Sequence, residues 1–104
     1  MNTYLTQSDI NDTIRLGITS VAKKLNIEDI EWKSSNELFE EIRLSEHSYF
    51  SLLDNYLKNY MAWATFILDN EDQEEFTCEE TEKLNKLIEN RNKTRLILKN
   101  AIMT

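Results

Sequence analysis

The stretch EHSYFSLLDNYLKNYMAWATFILD, Glu46 to Asp69, decides how this chain folds. Tyr49, Leu53, Tyr56, Tyr60, Trp63 and Ile67 recur at steps of four and three, the period that keeps side chains on one face of an α-helix. Phe50, Leu57, Met61, Ala64 and Leu68 widen that stripe to more than half of the circumference. Such a helix packs on two sides, between neighbours in its own chain or across an oligomer interface. Phe66 falls on the far side, with Asn55, Asn59 and Ala62, where an exposed ring would mark a contact surface. Aromatic residues are favoured anchors of protein interfaces. Tyr56, Tyr60, Trp63 and Phe66 are therefore candidate partner contacts, beside the simpler expectation that the stripe is core.

Helical signals continue on both sides. Towards the N-terminus, Thr6 can cap the N–H of Asp9, and Leu5 can pack on Ile10. Ile10, Ile14, Ile18, Val21 and Leu25 then form one apolar stripe bordered by Gly17, whose missing side chain suits a close helix contact. Ser34 with Glu37 predicts a capping box ahead of Leu38, Phe39 and Ile42. A second start is written at Ser45, with Leu44 and Tyr49 as a staple. Without a break there, a helix from Asn36 to Asp69 would be about 50 Å long, so a break or kink is expected. Beyond the acidic stretch, Thr77 with Glu80 opens a last helix running to about Ile102. Its middle, ENRNKTR, carries no apolar side chain. Either the helix is interrupted there, or Arg91, Thr94 and Arg95 face neighbours and meet carboxylates, since an unpaired buried charge is costly.

Composition agrees with helices throughout. The 104 residues hold no proline and one glycine, whereas sheet proteins of this size need several tight turns. The fold class expected is all-α: a small antiparallel bundle of three long helices, or four if the chain breaks near Ser45, in one domain over residues 1–104. The asparagine-, lysine-, isoleucine- and glutamate-rich usage is what an AT-rich genome encodes, such as that of a low-GC bacterium or its phage.

The segment TSVAKKLNIEDIEW, Thr19 to Trp32, has the outline of a helix-turn-helix corner. Ala22 is the small residue in the first helix, Asn26 suits a left-handed turn, and Val21, Leu25, Ile27 and Trp32 flank it. The element that would read bases starts with Glu28, Asp29 and Glu31, where recognition helices carry Arg, Lys, Asn or Gln. A structural corner is expected here. A net charge of −7 also argues against direct binding to nucleic acid or to an anionic membrane.

From Asp69 to Glu82 there are eight acids and no base, and the following 22 residues hold six bases and one acid. The run DNEDQEEFTCEE has the length of an EF-hand loop, but Glu74 stands where that loop needs glycine. Asp69, Glu71, Asp72, Glu74, Glu75, Glu79 and Glu80 are instead candidate contacts for a basic partner, able to imitate nucleic-acid phosphates. The basic set Arg91, Lys93, Arg95 and Lys99 is expected to match acids of neighbouring helices.

Catalytic and metal chemistry find little support. His47 is the only histidine, Cys78 the only cysteine, and they lie 31 residues apart. The glutamates Glu79, Glu80 and Glu82 oppose activation of the thiol. No phosphate-binding glycine loop is present. No cofactor, no metal site and no enzyme activity are expected. The most apolar window, YMAWATFIL, has nine residues where a membrane span needs about 20. With no secretory signal visible, a soluble cytoplasmic protein is expected. The function expected is a non-enzymatic adaptor, inhibitor or regulator that occupies a partner protein's surface. The alternatives are an acidic nucleic-acid mimic, a DNA-binding regulator with a degenerate corner, and self-association as a homodimer.

Overall fold

A computed structural model describes residues 5–103. They form helices α1 (Gln7–Lys24), α2 (Ser35–Leu44), α3 (Tyr49–Asp69) and α4 (Cys78–Ile102), with a 3₁₀ turn at Ile30–Trp32 between the first two. No strand occurs among the described residues. The architecture is an all-α bundle of four helices, so the chain does break near Ser45.

Helices α1, α2 and α4 start where their sequence offers a cap. At α1, Thr6 Oγ1 accepts from the Asp9 N–H at 3.1 Å and Asp9 Oδ2 accepts from the Thr6 N–H at 3.2 Å. At α4, Thr77 and Glu80 exchange the same pair of bonds, at 3.0 and 3.1 Å. Each box satisfies backbone donors that a helix terminus leaves open. The cap of α2 is one-sided, with Ser34 Oγ accepting from the Glu37 N–H at 3.1 Å.

The break before α3 differs in detail from expectation. Ser45 closes α2 instead of opening α3, its hydroxyl donating to the Ile42 carbonyl, and Leu44 is exposed rather than stapled. Glu46 adopts a left-handed conformation with φ of 57°, which turns the chain without glycine. Three residues later α3 begins, and His47 Nδ1 accepts the Tyr49 N–H at 3.2 Å. The helix therefore spans Tyr49–Asp69, three residues shorter than the pattern suggests.

The longest helices, α3 and α4, form an antiparallel hairpin. At one end the Tyr49 hydroxyl donates to the Ala101 carbonyl at 3.3 Å. At the other, the Phe66 ring lies against Phe76 and beneath Lys83. Because α4 has 25 residues it is about 37 Å long, and the molecule measures 46 × 25 × 20 Å. Its radius of gyration, 15.3 Å, exceeds the roughly 13 Å of a compact domain this size.

The apolar stripe of α1 packs against this hairpin and against α2. Ile10, Ile18, Val21 and Ala22 meet Leu38 and Ile42 of α2, Leu53, Tyr56, Tyr60 and Ala64 of α3, and Leu98 of α4. Leu5, Ile14 and Leu25 pack on the edge of that cluster. Gly17 gives the close approach anticipated: a Cβ built there would lie 3.5 Å from the Tyr56 ring, in ordinary contact. Helix α4 runs through the apolar gap uninterrupted. Thr94 is buried within it, its hydroxyl donating to the Asn90 carbonyl at 2.8 Å.

Candidate functional site

Two surface regions carry the features expected of an interaction protein: the acidic connection between α3 and α4, and the corner between α1 and α2. The first is built on a folded turn. Asn70 Nδ2 donates to the Phe66 carbonyl at 2.8 Å, and the Gln73 N–H donates to the Asn70 carbonyl at 3.1 Å. Gln73 Nε2 then reaches the Glu75 carbonyl at 3.0 Å and both oxygens of Glu80 at 2.9 and 3.1 Å. Phe76 anchors the turn on the Phe66 ring, 5.9 Å away between centroids. With the backbone held, Asp69, Glu71, Asp72, Glu74, Glu75 and Glu79 all point to solvent.

Glu80 has a different task. The Thr77 N–H, and then the Gln73 amide, hold its carboxyl below the usual carboxylate range, so it closes the cap of α4. The ion pairs among the described residues are Lys33–Glu41, Arg43–Glu40 and Lys58–Asp54, all remote from this turn. Its six exposed carboxylates are therefore in no ion pair among the described residues, and Lys83 over the Phe66 ring is a cation close to them.

The aromatic residues of α3 lie elsewhere than on an open face. Tyr56 and Tyr60 are 6% and 5% exposed, their tilted rings 6.1 Å apart between centroids, and Trp63 follows at 5.7 Å from Tyr60. Burial pushes the Tyr56 phenol above its ordinary range. Phe66, expected on the outside, is buried, because Phe76 of the acidic connection and Lys83 of α4 lie over it. Of the expected aromatic contacts, a partner of the folded chain can reach part of Trp63.

The cations of α4 depart from expectation too. Arg91 is half-buried, yet its guanidinium lies over the Trp63 ring, 4.3 Å from the centroid, instead of meeting a carboxylate. Burial, and next the neighbouring Arg95 charge, lower its pKa. Among the described residues none of Arg91, Lys93, Arg95 and Lys99 is in an ion pair, so the expected match to neighbouring acids is absent. The ring face supplies the electrostatic partner that a carboxylate would have been.

At the α1–α2 corner, Asn26 takes the left-handed turn anticipated for it, with φ of 59°, and Asp29 takes a second at 57°. The 3₁₀ turn follows, so no long helix enters where a base-reading element would stand. Arg15 locks the turn from α1. Its guanidinium donates to the carbonyls of Ile30 and Lys33 at 3.1 and 2.9 Å, and to Ser35 Oγ at 3.2 Å. Lys33 is held on the other side by Glu41 at 2.8 Å. Trp32, expected to help line the corner, is instead 86% exposed. An open groove of about 510 Å³ runs between α1 and the turn, lined by Arg15, Thr19, Lys23, Ile27, Ile30 and Trp32 among others.

Arg15 was not among the sequence candidates. The available signal is its place beside the stripe residues Ile14 and Ile18, where a half-buried cation must find acceptors. Among the described residues no three His, Cys, Asp or Glu side chains converge to hold a metal, and no helix is long and apolar enough to cross a membrane. Set against protein-family models, curated proteins and solved structures, the chain matches none of them.

Proposed function

We propose that this chain is a non-enzymatic interaction protein, an adaptor, inhibitor or regulator that works by occupying a basic surface of a partner protein. The observation that carries this reading is the acidic connection: six exposed carboxylates on a hydrogen-bonded turn, uncompensated by any ion pair among the described residues. Charges arranged this way raise the encounter rate with a cationic surface and bias which partners are accepted. Where the partner is a nucleic-acid-binding protein, the same carboxylates stand in for phosphates, which is the mimicry alternative.

The test is a tagged pull-down from the source cell, eluted in steps of rising salt, run beside a variant carrying Glu71→Gln, Asp72→Asn, Glu74→Gln and Glu75→Gln. Electrostatic attraction fades as the screening length falls from about 10 Å at 0.1 M salt to about 3 Å at 1 M. One stoichiometric partner, released at modest salt and lost with the variant, is expected. A partner held equally by both proteins refutes the role given to the acidic turn. Recovery of the bait alone points to self-association.

A further inference from the structure

The groove at the α1–α2 corner has a feature that neither packing nor folding explains. Trp32 is the most exposed large apolar side chain among the described residues, at 86%, yet its backbone is tied, its N–H donating to the Asp29 carbonyl at 3.0 Å. Arg15 reaches across to hold the carbonyls on both sides of it, at Ile30 and Lys33, and the Lys33–Glu41 pair fixes the exit of the turn. An exposed indole on a tied backbone has the character of a binding anchor: large contact area, few rotamers to lose, and a backbone already ordered.

We propose that this corner is a docking surface for a protein segment that presents arginine, whose guanidinium stacks on Trp32. The occupant is set by charge. Asp29 and Glu31 line the groove with Trp32, and Glu28 is exposed next to Asp29 in the chain; a guanidinium on an aromatic face with carboxylates near it satisfies both its charge and its plane. The cations nearby do not cancel this. Arg15 is turned inward onto carbonyls and Lys33 is paired with Glu41, which leaves Lys23, exposed on the last turn of α1, as the open cation of the groove against Asp29 and Glu31. The inference rests on the reading of the chain as a surface-occupying protein and gives that reading its apolar anchor.

The experiment is a titration of the ¹⁵N-labelled full chain with an arginine–glycine peptide, followed by NMR, with a glutamate–glycine peptide as the comparison. Expected are shifts of the Trp32 indole N–H and of the amides from Ile27 to Lys33. Trp32→Ala, at an exposed site, leaves the fold intact and weakens binding by roughly tenfold. The triple change Glu28→Gln, Asp29→Asn and Glu31→Gln weakens it comparably. Shifts confined to residues 69–79 overturn the corner as the docking surface while leaving the proposed function standing. Shifts at the corner with the glutamate peptide instead overturn the charge assignment. No shift with either peptide overturns the corner, and the pull-down with the acidic-turn variant then decides the function by itself.

Discussion

Replacing Arg15 by alanine tests how the corner is held. Its guanidinium makes three hydrogen bonds, at 3.1, 2.9 and 3.2 Å, to two backbone carbonyls and a hydroxyl. Bonds from a charged donor contribute about 1.5–3 kcal/mol each when well shielded. These are only partly buried, water can replace some of them, and the Ile30 carbonyl also accepts from the Lys33 N–H at 3.3 Å. A value of about 1 kcal/mol per bond is therefore appropriate, or roughly 3 kcal/mol in all. A chain of this length is stable by about 5–15 kcal/mol, so the loss is large. In urea the midpoint falls by about 1–3 M, and Tm falls by roughly 10–20 °C. Arg15→Lys keeps the charge but cannot span the three acceptors, so it recovers about a third of the loss. Hydrogen exchange locates the effect, with faster exchange of the amides from Ile30 to Lys33. A cost below about 0.5 kcal/mol with unchanged exchange there would refute the clamp, because surface changes away from real contacts fall within that range.

Gly17→Ala is expected to stabilise the protein by about 0.5–1 kcal/mol, because a methyl at 3.5 Å from the Tyr56 ring fits while the helix gains propensity. Thermal unfolding checks this, and a lower Tm would mean that α1 and α3 sit closer than ordinary contact. Glu80 has its carboxyl held below the usual 4.5, chiefly by the Thr77 N–H, so its cap contributes above that value and is lost as pH falls through the lower folded value. Acid titration followed by circular dichroism should then show Glu80→Gln lacking part of the wild-type loss; identical curves would contradict the cap. Arg91→Met should leave Tm unchanged or raise it, since it keeps the contact with Trp63 and removes a desolvated charge, whereas Arg91→Ala should lose about 1 kcal/mol. Equal losses in both variants would show that the charge itself stabilises.

Much of this architecture is legible in the residues, where local chemistry and periodicity agree. Thr6, Ser34 and Thr77 mark helix starts because a hydroxyl at that position has one obvious task. Ile10, Ile18 and Val21 repeat at a spacing that only a helix puts on one face. Legibility fails where a distant segment decides. Phe66 lies off the α3 stripe, and its burial depends on Phe76, ten residues on, folding back over it. Arg91 meets Trp63 because the hairpin register places them together, and nothing in either local sequence writes that register. The turn at Glu46 is opaque for another reason: glutamate carries no left-handed signature, and the turn is held by hydrogen bonds, from the Glu46 N–H to the Arg43 carbonyl and from the His47 N–H to Ser45 Oγ. The acidic connection was readable as charge, but not as a folded turn, since the bonds of Gln73 depend on where Glu80 comes to rest.

The chain's two tryptophans occupy opposite environments, Trp32 in water at the corner and Trp63 beneath Arg91 in the hairpin. Emission from Trp32 should lie to the red and yield readily to a collisional quencher, whereas Trp63 should emit further to the blue and be shielded by the guanidinium above it. Single-tryptophan variants would thus carry an independent optical probe at each end of the architecture, with no label added. Coincident unfolding curves from the two would establish that corner and hairpin melt as one cooperative unit. Separate curves would place a fault line between α1–α2 and α3–α4, and would make each half a candidate for an independently folding module.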